Sequence, residues 1–172
     1  MPYALQLTKS NNHVLHVPSI TMFEFNKLCK AFEQMDPQTF KDVIAEKSVA
    51  IIAALTAITK DGMDGMKVYM NFILCSIAAD GKLAEEEYRI LKPAFEALVG
   101  KEVSYEDAVA IFNEAGLNNS KDYKNVVDEM VDILGMISLD LKRDVIIVCM
   151  MICAVDGKIS RKEKKWIKQL VR

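Results

Sequence analysis

The sequence predicts an all-α protein, a single-domain bundle of seven to eight helices. Three observations carry that prediction. From residue 19 onward, apolar residues recur at three- and four-residue spacings almost without a break. Gly and Pro are scarce while Met and aliphatic residues are plentiful, and half the chain is hydrophobic against about a quarter charged, as expected of a globular domain. Finally, one stretch that reads as a helical hairpin occurs twice, so the domain carries an internal pseudo-repeat.

The elements follow in order. Ser19 or Thr21 can cap a first helix whose Met22, Phe25, Leu28, Cys29 and Phe32 share a face. Asp36-Pro37 reads as an N-cap followed by Pro at the first helical position, and opens a second helix through Phe40, Val43 and Ile44. The stretch SVAIIAALTAI (48–58) is apolar on nearly every side and is expected near the centre of the domain. KDGMDG (60–65) is expected to end it. Further helices are predicted over about 66–79, 84–99, 104–116, 121–137, 139–155 and 160–171, with Asp80-Gly81, Gly100-Lys101 and Asn118-Asn119-Ser120 as punctuation.

Residues 1–18 differ. YALQLT and HVLHV alternate apolar and polar residues around KSNN, the pattern of a short β-hairpin. An isolated hairpin is marginal in water, so an extended or docked arm is the competing reading. The chain therefore divides into an N-terminal extension (1–18) and an all-helical domain (19–172).

The repeat is ILCSIAADGKLAEEEYRIL (73–91) over CMMICAVDGKISRKEKKWI (149–167), an offset of 76. Ala78, Asp80, Gly81, Lys82 and Glu87 recur as Ala154, Asp156, Gly157, Lys158 and Glu163, and most remaining apolar positions match. An apolar helix ending in a small residue, then Asp-Gly, an apolar residue two positions on and Glu seven after the Asp is the hallmark of the TerB domain of tellurite-resistance and related bacterial stress proteins, which the two copies, Ala79 to Glu87 and Val155 to Glu163, resemble. The resemblance is strongest over residues 45–172. It implies an all-helical bundle with an internal repeat, a role in stress response or in a membrane-associated assembly, and acidic positions that have been suggested to chelate metal.

The end of each copy also looks like half of a calcium loop. With Asp80 at position 5 of an EF-hand, Gly81 falls at 6 and Glu87 at 12, but positions 1 and 3 are Ser76 and Ala78. In the second copy they are Ile152 and Ala154. Each copy supplies roughly four oxygens against the ~6–8 that Ca²⁺ takes, so an ordinary EF-hand is excluded. If the two turns meet, Asp80, Glu87, Asp156 and Glu163 form a hard oxygen cluster suited to Ca²⁺, Mg²⁺ or Mn²⁺.

The same residues also have a structural reading. Ser160 and Glu163 fit a capping box, Gly81 and Gly157 fit left-handed positions after a helix, and Leu83 and Ile159 can staple the next helix to the core. Ala84 replaces the capping Ser in the first copy, which leaves Glu87 with half a box.

Other chemistry is thin. His13 and His16 lack a third ligand, and Cys149 and Cys153 share a helix face without completing a zinc set, so packing is their expected role. No catalytic motif is present and no enzyme is expected; a hydrolase would need a metal to bring the reactivity. A net charge of −2 gives no reason to expect nucleic-acid binding. The N-terminus lacks the pattern of a signal peptide, and the longest uncharged apolar run, Val145 to Val155, is too short to span a bilayer at ~20 residues. Cytoplasmic is the expected compartment.

Charge is unevenly placed, net −7 from Asp80 to Asp132 and +6 from Leu141 to Arg172. The last helix carries Arg161, Lys162, Lys164, Lys165, Lys168 and Arg172. The leading reading is a non-enzymatic binding module with the four carboxylates as cation ligands. The alternative is an adaptor that uses the basic last helix on a protein partner or an anionic membrane surface, with the turns purely structural.

Overall fold

A computed structural model describes residues 22–59, 63–114 and 116–171. The expected hairpin or arm over 1–18, with His13 and His16, lies outside them. Among the described residues there are eight α-helices and no strand: α1 (Met22–Glu33), α2 (Pro37–Ile58), α3 (Met63–Ala78), α4 (Glu85–Val99), α5 (Tyr105–Glu114), α6 (Ser120–Met136), α7 (Leu139–Cys153) and α8 (Arg161–Val171). No helix among them is long and apolar enough to cross a membrane.

The helix starts fall where short polar side chains can replace missing backbone partners. Asp36 Oδ1 accepts from Thr39 N at 2.9 Å, Asn119 Oδ1 from Lys121 N at 2.9 Å, and Ser138 Oγ from Leu141 N at 3.3 Å. Ser104 and Asp107 exchange side-chain bonds with each other's amides, a box at the start of α5. Pro37 takes the first helical position of α2, where its missing N–H costs nothing.

One core joins the described helices. Its axis is α7, in which every residue from Val145 to Cys153 is buried. Helices α1, α2, α3 and α8 all pack against it. The 48–58 stretch is not central: Ile51 and Leu55 are buried, but Val49 and Ile58 are 71% and 61% exposed. It is rich in Ala, which sits on a surface at little cost, so apolar composition overstated its burial. As expected, α2 ends at Ile58 just before KDGMDG, but α3 begins at Met63, three residues earlier than expected, and takes Gly65 inside. A Cβ on Gly65 would lie 2.4 Å from Thr56 N and 2.7 Å from Thr56 Cα. That glycine lets α2 and α3 approach backbone to backbone.

The direction of α3 and α7 decides where the turns go. The Cys149 thiol donates to the Phe72 carbonyl at 3.8 Å, and the Cys153 thiol to the Ser76 carbonyl at 3.7 Å. Four residues further along one helix is four further along the other, so α3 and α7 run parallel. Their C-terminal ends, and with them both Asp-Gly turns, lie at the same end of the bundle.

Candidate functional site: two Asp-Gly turns at one end of the bundle

Each turn is built the same way. Gly81 and Gly157 adopt φ of 90° and 86°, and their amides donate to the carbonyls of Ala78 and Ala154 at 3.0 and 2.9 Å. Nothing stands within 4 Å of a Cβ added at either glycine, so backbone conformation alone selects Gly there. Oδ1 of Asp80 accepts from Lys82 N at 3.2 Å, and Oδ1 of Asp156 from Lys158 N at 3.0 Å. Leu83 and Ile159 are buried, as a staple requires.

The glutamates then turn inward. Glu163 Oε2 accepts from Ser160 N at 2.5 Å while Glu163 N donates to Ser160 Oγ at 3.2 Å, completing the box at the start of α8. In the first copy Glu87 Oε2 accepts from Ala84 N at 2.7 Å, with no returning side-chain bond. Both carboxylates cap their helices, so the persistence of Glu87 has a structural cause even without a capping Ser. Removing the hydroxyl with Ser160→Ala is expected to cost about 1 kcal/mol, measured by urea denaturation. No change would mean that the Glu163 bond alone holds the end of α8.

Glu87 and Glu163 are only 6% and 5% exposed. Burial, reinforced by the charges of Asp80, Glu163 and Asp156 and opposed by the Ala84 amide, pushes the Glu87 carboxyl up to about 8. Burial also raises Glu163; Ser160 opposes the shift, and Asp80 and Asp156 add to it. The buried Cys153 thiol is pushed up too, by burial first and then by Glu163, Cys149, Glu87 and Asp80. The four carboxylates therefore share one electrostatic neighbourhood across the two repeats. They do not converge on a point: among the described residues, no three His, Cys, Asp or Glu side chains are gathered closely enough to hold a metal ion.

Several residues that the motif does not contain complete this end. Ser76 is fully buried, donates to the Phe72 carbonyl at 2.9 Å and accepts from the Trp166 indole N–H at 3.1 Å, tying α8 to α3. Its one visible signal is a polar residue inside an apolar run. Tyr123 OH donates to the Cys75 carbonyl at 3.2 Å, and Tyr105 OH to the Leu83 carbonyl at 2.8 Å. Glu33, at the end of α1, accepts from Ile159 N at 2.9 Å and so braces the second turn. All four cysteines are free and buried, as a packing role requires.

The basic face of α8 is not one surface. Trp166, Ile167 and Leu170 are buried in the core, so its apolar stripe is spent on the bundle. Lys168 stands 5.6 Å from the Phe25 ring centroid on the α1 side, and Lys164 acts on Cys29 of the same helix. Lys162 and Lys165 face a cleft on the α6 side. No family model, curated protein or solved structure matches the chain.

Proposed function

We propose that this chain is a non-enzymatic, TerB-like binding module whose paired Asp-Gly turns take a divalent cation, in competition with a proton. The observation that carries the reading is the shared neighbourhood of four carboxylates drawn from both repeats, with Glu87 pushed up to about 8. Two buried glutamates beside two more open aspartates hold excess negative potential, which a cation relieves as a proton does. Asp80, Glu87, Asp156 and Glu163 would supply oxygens, the ligand type that Ca²⁺, Mg²⁺ and Mn²⁺ prefer. Loading requires rearrangement, because the four side chains are not gathered and each glutamate already spends one oxygen on a cap. A stress-related role with a protein partner rests on the resemblance to TerB.

Calorimetric titration with each of the three metals compares wild type with Asp80→Asn combined with Asp156→Asn. Wild type is expected to bind at millimolar concentration or below and to release a proton, seen as a buffer-dependent heat; the double variant loses both. Absence of binding by wild type, or equal binding by both proteins, would sink the cation reading.

A further inference from the structure

A cleft of about 560 Å³ lies between α6, α8 and the first Asp-Gly turn. Its size falls in the ordinary range for ligand sites, ~300–1,000 Å³. The half-buried Tyr123 ring lines it, packed edge to face on Trp166 at 6.5 Å between centroids, while Leu117, Val127 and Trp166 lie buried beneath. Lys124 on α6 and Lys162 and Lys165 on α8 stand around it, all three exposed. None of the three is paired with a carboxylate among the described residues, whereas Lys47 has one such partner and Lys92 two. Asp80 and Asp128 interrupt this basic rim.

We infer that this cleft docks an acidic peptide segment of a partner protein, an apolar side chain flanked by Asp or Glu. The half-buried Tyr123 ring takes the side chain, and three unpaired ammonium groups from two helices take carboxylates spread along an extended chain. Dispersed, solvated lysines suit several carboxylates better than one small anion, which needs converging donors or a buried arginine. Two interposed aspartates disfavour a surface of uniform negative charge, such as a lipid bilayer, and the buried apolar stripe of α8 is not free to insert. Nucleic acid meets the same aspartates and the acidic stretch from Asp80 to Asp132. The inference goes beyond the cation reading and does not depend on it.

The test uses the full chain, a synthetic peptide of alternating Glu and Leu, and backbone amide shifts in two-dimensional NMR, run in metal chelator so that failure of the cation site leaves it unaffected. The expected result is saturable shifts confined to Asn118, Lys124, Asp128, Gln169 and their neighbours. Lys124→Gln, Lys162→Gln and Lys165→Gln combined weaken binding about tenfold, and so does raising salt from about 0.05 M to about 0.5 M. Lys142→Gln with Arg143→Gln, at the opposite end of the bundle, leaves binding unchanged. Any of the following results would overturn the inference. One is no shift at millimolar peptide, or shifts that the triple variant retains. Another is the same shifts arising from protein concentration alone, which would make the occupant a second copy of the chain. The last is binding to phosphatidylserine vesicles, lost in the triple variant, with none to the peptide.

Discussion

Replacing Gly65 with Ala is expected to destabilise the protein by about 3 kcal/mol, at the upper end for overpacking. For a chain of this size that is a fall of roughly 10 °C in melting temperature. The added methyl would meet the backbone of Thr56 at 2.4 to 2.7 Å, and backbone cannot step aside as a flexible side chain does. Helices α2 and α3 must separate, which loosens the packing around Ile51 and Leu55. Gly135→Ala is the matched control. It lies exposed in α6 with nothing within 4 Å of the added atom, so the change should be neutral or stabilising by up to about 1 kcal/mol. Equal effects of the two substitutions would mean that α2 and α3 do not touch at Gly65.

Stability is expected to fall as pH rises from about 5 to about 8, and Glu87 is the main cause. Its folded carboxyl is raised to about 8 from the usual 4.5, so the folded state keeps a proton that the unfolded chain has already released. The proton-linked stability is fully present below the unfolded value and is lost as pH climbs through the folded one. At about 1.4 kcal/mol per unit, with some relaxation of the side chain, the loss reaches about 2 to 4 kcal/mol. Glu163 adds in the same direction. Asp36 and Asp107 run the other way: their hydrogen bonds hold them low, so their contribution is present above the ordinary Asp value and lost in acid. Glu87→Gln keeps an oxygen for the Ala84 amide and removes the charge. It should flatten the slope between pH 5 and 8 and exceed wild type in stability at pH 8, in urea melts across that range. A variant that keeps the wild-type slope would assign the dependence elsewhere.

Local features proved readable in the sequence and tertiary ones much less so. Asp36-Pro37, the Ser160-Glu163 box and the two Asp-Gly pairs are short-range chemistry, and the helix limits they imply agree with the structure within a few residues. The 48–58 stretch was misplaced because hydrophobic composition does not distinguish Leu55, which packs, from alanines that merely tolerate exposure. Gly65 was read as a breaker because a glycine that ends a helix and one that admits a neighbouring helix look alike in one sequence. The motif placed four carboxylates in two turns, but their common end depends on α3 and α7 running parallel, a relation between residues 77 apart. The cleft was out of reach for the same reason, since Lys124 comes from one helix and Lys162 and Lys165 from another. The half box of Glu87, which accepts from the Ala84 amide, was legible because it lies within four consecutive residues.

If carboxylates from both repeats act on one another at one end of the bundle, the ¹³C NMR titration of the Glu87 side-chain carboxyl will differ between wild type, Asp156→Asn and Glu163→Gln. A midpoint near 8 in wild type, moving down in both variants although the substitutions lie in the other repeat, is the predicted result. A midpoint near the ordinary 4.5, or one that neither substitution moves, would contradict it.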